Sequence, residues 1–530
     1  MTSIATPIAD RATILHGPAA VPCSAAARRW TLVAAILGSS MAFVDGTVVN
    51  VALPAIQRAL DATASDAQWV VESYALLLAA LLLVGGALGD RFGRKRVFMI
   101  GVAVFTVASV GCALSGQVQW LIAARAVQGV GAALLVPGSL ALISATFPQA
   151  ERGAAIGTWS AFSGITAAVG PVIGGFLVDH YSWTWAFLVN LPIGIVLLLI
   201  CAARVPESTG ASTGAPSHDP VDWRGASFAT IGLAGIVFAF IEAPARGWGS
   251  VPVWGAAAIG VAGLALFIRT EAQARAPMLP LALFRDRNFS GANLLTLLLY
   301  AALGGGLYFL PLDLVQVQGL SATAAGAALL PFIAIMFALS RWAGGLVDRF
   351  GAKLPLIIGP AIAALGFALL ALPSVGSHYW LTFFPAICVL GLGMSITVAP
   401  LTTTVMNAVG ADLAGVASGV NNAVSRAAGL LAIAIFGIVM AWAFDARLAE
   451  SLAATKVPAD LASAMLAQHT RLAGMVLPEG LAPDVAAALK LAIGHSFVTG
   501  FRWVMGLSAA LALFGSVSAW WLIDGKRDAA

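Results

Sequence analysis

Three acidic residues stand inside long apolar stretches of this sequence: Asp45, Glu72 and Asp313. A charge near the centre of a bilayer costs about 2.5–3.5 kcal/mol on insertion scales, so such a residue usually faces a cavity or a partner. Removal from water favours the protonated form of a carboxyl group, which can then load and release a proton as its surroundings change. Asp45 is the first candidate for a proton carrier, with a structural ion pair as the alternative. Glu72 and Asp313 are further candidates, with a hydrated position at an outer vestibule as the alternative.

Arg125 is the cation best placed to act with these acids, because it also lies in an apolar run. A guanidinium group presents several donors and does not titrate, so it would attract or release a carboxylate rather than carry the proton itself. Asn421, Asn422 and Arg426 form a second polar group, following Ser418. Ligand contact and hydrogen bonding between helices are equally compatible with that group.

Aromatic and polar side chains in the same runs could line a cavity for an organic ligand. Aromatic rings can stack on lipophilic or cationic molecules, and packing against lipid or core is the alternative for each of them. The candidates for a substrate cavity are Phe43, Asn50, Tyr74, Gln128, Tyr300, Tyr308, Gln316, Asn421, Asn422 and Arg426.

A short charged phrase occurs twice, each time at the end of an apolar run. Gly86-Ala-Leu-Gly-Asp-Arg-Phe-Gly-Arg-Lys is repeated 258 residues later as Gly344-Gly-Leu-Val-Asp-Arg-Phe-Gly-Ala-Lys, with seven of ten residues shared. Repetition of this kind is typical of duplicated membrane proteins. A tight connecting loop explains the phrase in part, and its duplication favours a latch between two halves at one membrane face. The candidate gate residues are Asp90, Arg91, Gly93, Arg94, Asp348, Arg349 and Gly351.

The composition requires lipid around the chain. Of 530 residues, 60% are hydrophobic and 10% are charged, and the mean hydropathy is +0.93. Soluble domains carry about 25% charged residues. The cysteines are isolated, so neither a disulfide framework nor a metal pair is indicated. The pI near 9.0 comes mainly from cations in short loops between apolar runs, which favours a topological role over nucleic-acid binding.

Apolar runs long enough to cross the hydrocarbon core recur along the whole chain. We count fourteen, centred near Leu37, Leu78, Ala103, Ala132, Ala167, Val196, Gly232, Ile259, Leu298, Met336, Ala363, Gly391, Ala428 and Ala510. An even number puts both termini on one side, and the excess of Lys and Arg in the tails and the loops on that side predicts a cytoplasmic location. No apolar core of signal-peptide length precedes the first run, so cleavage is not expected. We therefore expect an all-α, multi-pass protein of the plasma membrane.

The repeat divides the chain into two six-helix halves with two inserted helices between them. Pro206 to Pro220, rich in Ser, Thr, Gly and Pro, is expected to be a flexible linker. Val485, Leu489 and Ile493 recur at helical spacing within the segment Asp445 to His495. This segment is expected to form short amphipathic helices on the outer face, as a passive connector or with a role in gating or partner binding. The predicted divisions are a tail 1–30, a first half 31–204, linkers and inserted helices 205–288, a second half 289–526 that includes the outer loop 445–495, and a tail 527–530.

Several motifs in order resemble those of the major facilitator superfamily, in particular the fourteen-span drug:proton antiporters of the EmrB/QacA type. They are Asp45-Gly-Thr-Val-Val-Asn-Val-Ala-Leu-Pro54, the turn from Asp90 to Arg96, the stretch Leu121 to Ala133 around Arg125, and Gly170-Pro-Val-Ile-Gly-Gly175. The resemblance covers nearly the whole chain. It implies two six-helix halves plus two inserted helices, proton carriage at Asp45 and a coupling role for Arg125.

The fifth run carries the motif that the resemblance associates with antiport: Gly170, Pro171, Gly174 and Gly175. Small residues let helices approach closely, and proline removes a backbone donor. Ordinary small-residue packing is the alternative to the kinked joint that the resemblance implies, which limits leakage during exchange. Thr166 departs from the extended motif, which has glycine at that place.

The expected function is proton-coupled export of drugs or other amphipathic small molecules by alternating access. Alternatives are export of one metabolite or siderophore on the same fold, and a membrane enzyme or sensor. Neither a His-x-x-x-His pair nor a phosphate-binding Gly-Lys loop is present, which counts against an enzyme. We expect no cofactor, no metal and no nucleic-acid partner. The expected partners are protons, a small-molecule substrate and the bilayer, with the chain acting as a monomer and an accessory envelope partner left open.

Overall fold

The structure, a computed structural model, describes residues 24–208, 222–274, 277, 279–409, 414–454 and 457–524. Most of the predicted linker from Pro206 to Pro220, most of the N-terminal tail and the C-terminal tail lie outside these residues. The described chain is all-helical, as predicted.

Fourteen long helices can be followed in the described residues, and each predicted run centre falls within one of them. In the first half these are α1 (Ala25–Leu60), α2 (Ala64–Phe92), α3 (Arg94–Ala113), α4 (Val118–Thr146), α5 (Gln149–His180) and α6 (Asn190–Arg204), with a turn Trp185–Leu188 before α6. The inserted helices are α7 (Trp223–Arg246) and α8 (Val251–Gln273).

The second half contains α9 (Arg287–Leu312), α10 in two segments (Ala322–Ala327 and Leu330–Gly344), α11 (Lys353–Leu370), α12 (Phe383–Asn407), α13 (Ala414–Ala454) and α14 (Pro483–Leu522). A 3-10 turn Leu281–Arg285 precedes α9, a π-helical turn Asp313–Val317 follows it, and a short helix Leu346–Phe350 precedes α11. Twelve described helices are long and apolar enough to cross a membrane, or thirteen when α2, bent by 52°, counts as one span. The helix α5, 32 residues long, is outside that count, so fourteen spans and the cytoplasmic termini stay predictions.

Local sequence determines where several of these helices begin. Thr63 and Asp66 form a reciprocal capping box at the start of α2, and Asp61, with φ +54°, ends α1 just before it. The side chains of Asp222, Asp286 and Ser321 accept backbone N–H groups at the starts of α7, α9 and α10.

The helices pack as two bundles that meet across α1, α2 and α5 on one side and α9, α10 and α13 on the other. In the first bundle α1 packs on α5, and α4 packs on both α2 and α3; in the second, α9 packs on α13 and α14, and α11 packs on α12. The inserted helices pack on each other, and α7 also contacts α2 and α13, so that it lies at the boundary of both halves.

The segment 445–495 differs from the prediction. In keeping with the predicted topology, we call the side of the molecule on which this segment lies the outer side. Only part of 445–495 forms separate elements, the helix Ala459–Leu466 and the 3-10 turn His469–Gly474. The spanning helix α13 continues to Ala454, and α14 already begins at Pro483. Leu489 and Ile493, which the sequence analysis places in a surface helix, are buried on α14. Their periodicity indicates a helix correctly, but that helix is part of a spanning one.

Candidate functional site

A buried carboxylate and a buried guanidinium meet inside the first half. Asp45 on α1 is 0% exposed and Arg125 on α4 is 1% exposed. The distance between Asp45 Oδ2 and Arg125 Nη1 is 2.5 Å. A charge-assisted contact of this length is among the stronger hydrogen bonds found inside proteins. The structure thus brings together two residues that are 80 positions apart in the sequence.

Amide and hydroxyl groups complete the bonding around Asp45. Gln128 Nε2 donates to Asp45 Oδ1 over 2.8 Å, and Asn190 Nδ2 donates to the same oxygen over 3.2 Å. Gln128 Nε2 also lies 2.8 Å from Ser109 Oγ. We call Asp45, Arg125, Gln128, Asn190 and Ser109 the Asp45 cluster. Both carboxylate oxygens therefore have hydrogen-bond partners, as is usual for a buried polar group.

Arg125 has further partners that hold it in place. Its Nε donates to the backbone oxygen of Val70 over 3.0 Å, and its Nη1 donates to Gln128 Oε1 over 2.6 Å. The guanidinium carbon lies 4.2 Å from the centre of the Tyr74 ring. Protonation of Asp45 would remove the strongest of these contacts, so the arrangement can convert a bound proton into a movement of Arg125.

A loss of thermal stability on substitution of Arg125 is expected to reveal the buried ion pair, without any measurement of transport. Arg125→Gln leaves Asp45 buried and unpaired, which costs about 3–5 kcal/mol, so the thermal midpoint of the purified protein should fall clearly. The double variant Asp45→Asn/Arg125→Gln removes both charges and should recover most of the loss.

The exposed pair of Arg447 and Glu450 supplies the matched control for this experiment. Arg447→Gln should change stability by no more than about 1 kcal/mol. Equal losses of stability in Arg125→Gln and Arg447→Gln would contradict the assignment. So would a loss of stability in Asp45→Asn/Arg125→Gln that equals the sum of the losses in its two single variants.

A cavity of about 480 Å³ lies between the two halves. Its walls include Asn50 and Val71 from the first half and Tyr300, Tyr308 and Met336 from the second. The lining is mainly apolar and aromatic with a few polar groups, which is typical of sites for small organic molecules. We call this the central cavity.

The other predicted cavity residues lie in several places. Tyr74 and Gln128 belong with Arg125 and Asp45, where Tyr74 packs against the guanidinium group. Gln316 is nearer the outer face, and its Nε2 donates to Gln57 Oε1 over 2.9 Å. Phe43 is half-buried on α1.

The polar group on α13 is divided by the fold. Asn421 Nδ2 donates to Thr296 Oγ1 over 2.6 Å and lies 3.2 Å from Asn293 Oδ1, so it joins α13 to α9. Asn422 is exposed and bonds to the backbone of Ser418. Arg426 is half-buried on the same helix.

The two additional acids are buried in different settings. Glu72 on α2 is 0% exposed, and neither carboxyl oxygen has a hydrogen-bond partner in the described structure. Asp313 begins the π-helical turn after α9, where Gln318 Nε2 lies 3.2 Å from its Oδ2, and its Oδ1 has no partner among the described residues. These environments, as far as the described chain shows them, lack the cation that Asp45 has.

The first copy of the repeated phrase forms a bonded turn between α2 and α3. Arg94 donates to Asp90 Oδ1 over 2.7 Å within the turn. Gly93 has φ +109°, a conformation that favours glycine, and the carboxylate of Glu207 lies against it, where it accepts the N–H groups of Lys95 and Arg96. The described bonds of Asp90 thus stay within its own half.

The flanking residues of the two copies are exposed. Arg91 packs on the neighbouring Phe92 ring at 5.4 Å, and Arg349 is exposed at the end of the short helix before α11. Gly351 repeats the positive φ of the first turn, at +75°. Asp348 lies in the same short helix, and its side chain lies outside the described residues.

The glycines of α5 pack against both halves of the molecule. A Cβ atom at Gly170 would contact Thr47 Oγ1, and one at Gly174 would lie 2.8 Å from Val48, both on α1. A Cβ at Gly175 would meet the backbone oxygen of Ala322 on α10, and one at Gly326 would meet that of Pro171. The predicted close-packed joint therefore includes a contact between the halves, near the outer ends of both helices.

Further bonds join the halves on this outer side. Asp179 accepts the N–H groups of Ala322 and Thr323 over 3.0 and 2.8 Å, and the Thr323 hydroxyl over 2.6 Å. Arg471 of the 3-10 turn lies 2.7 Å from Asp61 at the end of α1. Together with the bond between Gln57 and Gln316, these contacts hold the outer ends of the two halves together.

Asn190, Ser109, Asp179 and Gln57 are site residues that the sequence reasoning missed. Asn190 and Ser109 are polar residues inside apolar runs, so they carry the same signal as Asp45 once uncharged side chains are considered as well. Asp179 and Gln57 lie near helix ends, where polar residues are ordinary, and their partners can be recognised only when the halves are placed together.

Comparisons with known proteins bear on this arrangement. The sequence profile of the Major Facilitator Superfamily matches residues 35–433. The chain belongs to this superfamily. The tetracenomycin C resistance and export protein of Streptomyces glaucescens is 33% identical over 504 residues, covering 94% of this chain and 93% of that protein. The multidrug resistance protein Stp of Mycobacterium tuberculosis, strain CDC 1551, is 36% identical over 427 residues, covering 80% of this chain and 78% of that protein.

A solved structure shows the same major facilitator fold. A bacterial homologue of the human lysosomal transporter Spinster, in an inward-facing and unoccupied conformation, superposes with a TM-score of 0.63 at 17% identity, covering 96% of this chain and 100% of that one. The predicted family and fold are confirmed. The chain is a major facilitator transporter, a multi-pass protein of the plasma membrane, with relatives that confer drug resistance.

Proposed function

We propose that this transporter exports amphipathic small organic molecules in exchange for protons, by alternating access between its two halves. The observation that carries the proposal is the buried ion pair of Asp45 and Arg125, with its neighbouring amides. A fully bonded ionised carboxylate can accept a proton only if its surroundings rearrange. A proton that binds Asp45 therefore favours another conformation, which is the requirement for coupling.

The cavity and the outer contacts supply the rest of the cycle. In the conformation described here the outer ends of the halves are joined through Asp179, Gln57 and Arg471, while the central cavity lies between the halves. A substrate would bind in this cavity against Tyr300 and Tyr308. Export requires the outer bonds to break and a set of cytoplasmic bonds to form, for which Asp90, Arg94 and the second copy of the phrase are the proposed groups. We propose that a single copy carries out this cycle, because residues from both halves of one chain line the central cavity.

A narrower cargo is the second candidate. The methylenomycin A resistance protein of Bacillus subtilis is 35% identical over 411 residues, covering 77% of this chain and 87% of that protein, and it is named, like the tetracenomycin C protein, for a single compound. Such relatives favour export of one natural product as an alternative to a broad drug range.

Reconstituted vesicles test the proposal. With an acidic interior, proteoliposomes should accumulate an added substrate from a panel of antibiotics and dyes, and a protonophore should abolish the accumulation. Vesicles without protein supply the control for passive entry. Protein-dependent movement that is indifferent to the imposed proton gradient would contradict antiport, and movement of a single compound would favour the narrower cargo.

A further inference from the structure

Residues beside Glu72 on α2 line two different cavities. Val71, its neighbour on α2, lines the central cavity, and Gln68, one turn earlier on α2, lines a smaller cavity of about 40 Å³ toward the outer face. Tyr308 on α9 lines both cavities and is within electrostatic reach of Glu72. Residues next to Glu72 thus line the outer cavity and the central cavity, while its own carboxyl group is fully buried at the boundary of the two halves.

The two halves are bonded next to Glu72 in this conformation. Gln68 Nε2 donates to the backbone oxygen of Ile433 on α13 over 3.1 Å, and a Cβ at Gly437 would contact the same amide. Residues four positions apart share a helix face, so Glu72 points toward the second half as Gln68 does. Opening of the outer side would separate these surfaces and admit water to Glu72 from the outer cavity.

The bonding of Glu72 differs from that of Asp45 in a way that determines its charge. Asp45 has Arg125, Gln128 and Asn190 as partners. Glu72 is fully buried, and both its oxygens lack a hydrogen-bond partner among the described residues. An isolated carboxylate in such surroundings costs far more free energy than the neutral acid, so the group binds a proton instead.

We propose that Glu72 is a second proton-binding group, separate from the Asp45 cluster, with access to the outer cavity in one conformation and to the central cavity in the other. The proton comes from water on the outer side and leaves to water in the central cavity, and the carboxyl group is regenerated in each cycle. With Asp45, each export event then moves two protons. The direction and the stoichiometry of proton movement rest on the proposed function, whereas proton binding at Glu72 does not.

Other titratable groups lie in the same region of the molecule as Glu72. Tyr308 of α9 is within electrostatic reach of Glu72. The other titratable and charged residues that line the outer cavity among the described residues are Asp445, His469 and Arg471. Asp313 is a second buried acid, directly after α9, and one of its oxygens is bonded to Gln318. Asp313→Asn is therefore the matched control for removal of a buried carboxyl group in the outer part of the protein.

Infrared spectroscopy of the purified protein tests proton binding without any transport. The carbonyl stretch of a protonated carboxyl group should lose a component in Glu72→Gln, and this component should remain in Asp313→Asn. Loss of the component supports the proposal, including in a Glu72→Gln protein that no longer transports. An unchanged spectrum in Glu72→Gln overturns it.

The stoichiometry is measured as the substrate gradient that balances a known proton gradient in proteoliposomes. Two protons per substrate are expected for the parent and for Glu72→Asp, and one proton is expected for Glu72→Gln. An unchanged ratio in Glu72→Gln overturns the proposal. If export by the parent ignores the proton gradient, the proposed function and the two-proton cycle both fail, and the infrared component then shows separately whether Glu72 holds a proton.

Discussion

Proteoliposomes that contain Asp45→Asn are expected to show no proton-driven accumulation of substrate above that of protein-free vesicles. The asparagine has nearly the same shape but cannot carry a charge, and its amide N–H groups would meet another donor in either orientation: Arg125 on one side, or the Gln128 and Asn190 amides on the other. The pair at 2.5 Å between α1 and α4 is lost. Because the proposed coupling depends on the protonation of this group, the proton gradient should no longer drive transport.

Exchange of substrate for substrate distinguishes an uncoupled protein from an inactive one. This exchange requires alternating access but no net proton movement, so Asp45→Asn should retain part of it. Asp460→Asn, the same chemical change at an exposed position of the outer helix, is the matched control and should transport as the parent does. Proton-driven accumulation at the parental rate in Asp45→Asn would remove this residue from the proton path.

Gly175→Val is expected to abolish transport by preventing closure of the outer side. A Cβ atom at this position would contact the backbone oxygen of Ala322, and backbone atoms of α10 cannot move aside as a flexible side chain can. The valine side chain enlarges this clash. The halves should therefore stay apart at their outer ends, with Asp179 separated from Thr323.

Labelling from outside measures this separation directly. Gln57→Cys, in a background with the native cysteines replaced by serine, places a thiol at a position that is only 6% exposed here. A membrane-impermeant thiol reagent should label it faster in the Gly175→Val protein than in its parent. Gly157→Val is the matched control, because a Cβ at this other glycine of α5 has open space around it. Parental labelling and transport in Gly175→Val would show that the joint tolerates a side chain.

Charge in an apolar run is the sequence signal that locates the functional chemistry. Asp45 and Arg125 both stand out because a charged side chain that faces lipid carries a large free-energy cost, so that it is usually found where it has a partner or a function. Their pairing does not follow from the sequence, since 80 residues separate them and helix rotation decides which side chains meet. Tyr74 and Gln128 illustrate the same limit, because both are expected in the substrate cavity and both lie beside Arg125 instead.

The outer segment shows a different limit. Hydrophobic periodicity identifies helical character around Leu489 but cannot tell a surface helix from the first turns of a spanning one, since both repeat every 3.6 residues. The same limit applies to Gln57, Asp61 and Asp179, which lie at helix ends. A polar residue there has no distinctive pattern, and its partner lies in the other half or in the outer turn.

The sequence alone was sufficient to predict the membrane environment, the all-helical class, the duplicated halves and the short list of buried charges. Each of these depends on run length, residue type or repetition along the chain. Tertiary packing decided which acid is paired and which is isolated. Asp45 and Glu72 are both carboxyl groups in apolar helices, but only contacts across helices give one of them a guanidinium partner and leave the other, among the described residues, unbonded. Charge state follows from those contacts, because a buried carboxyl group is ionised or neutral according to what faces it.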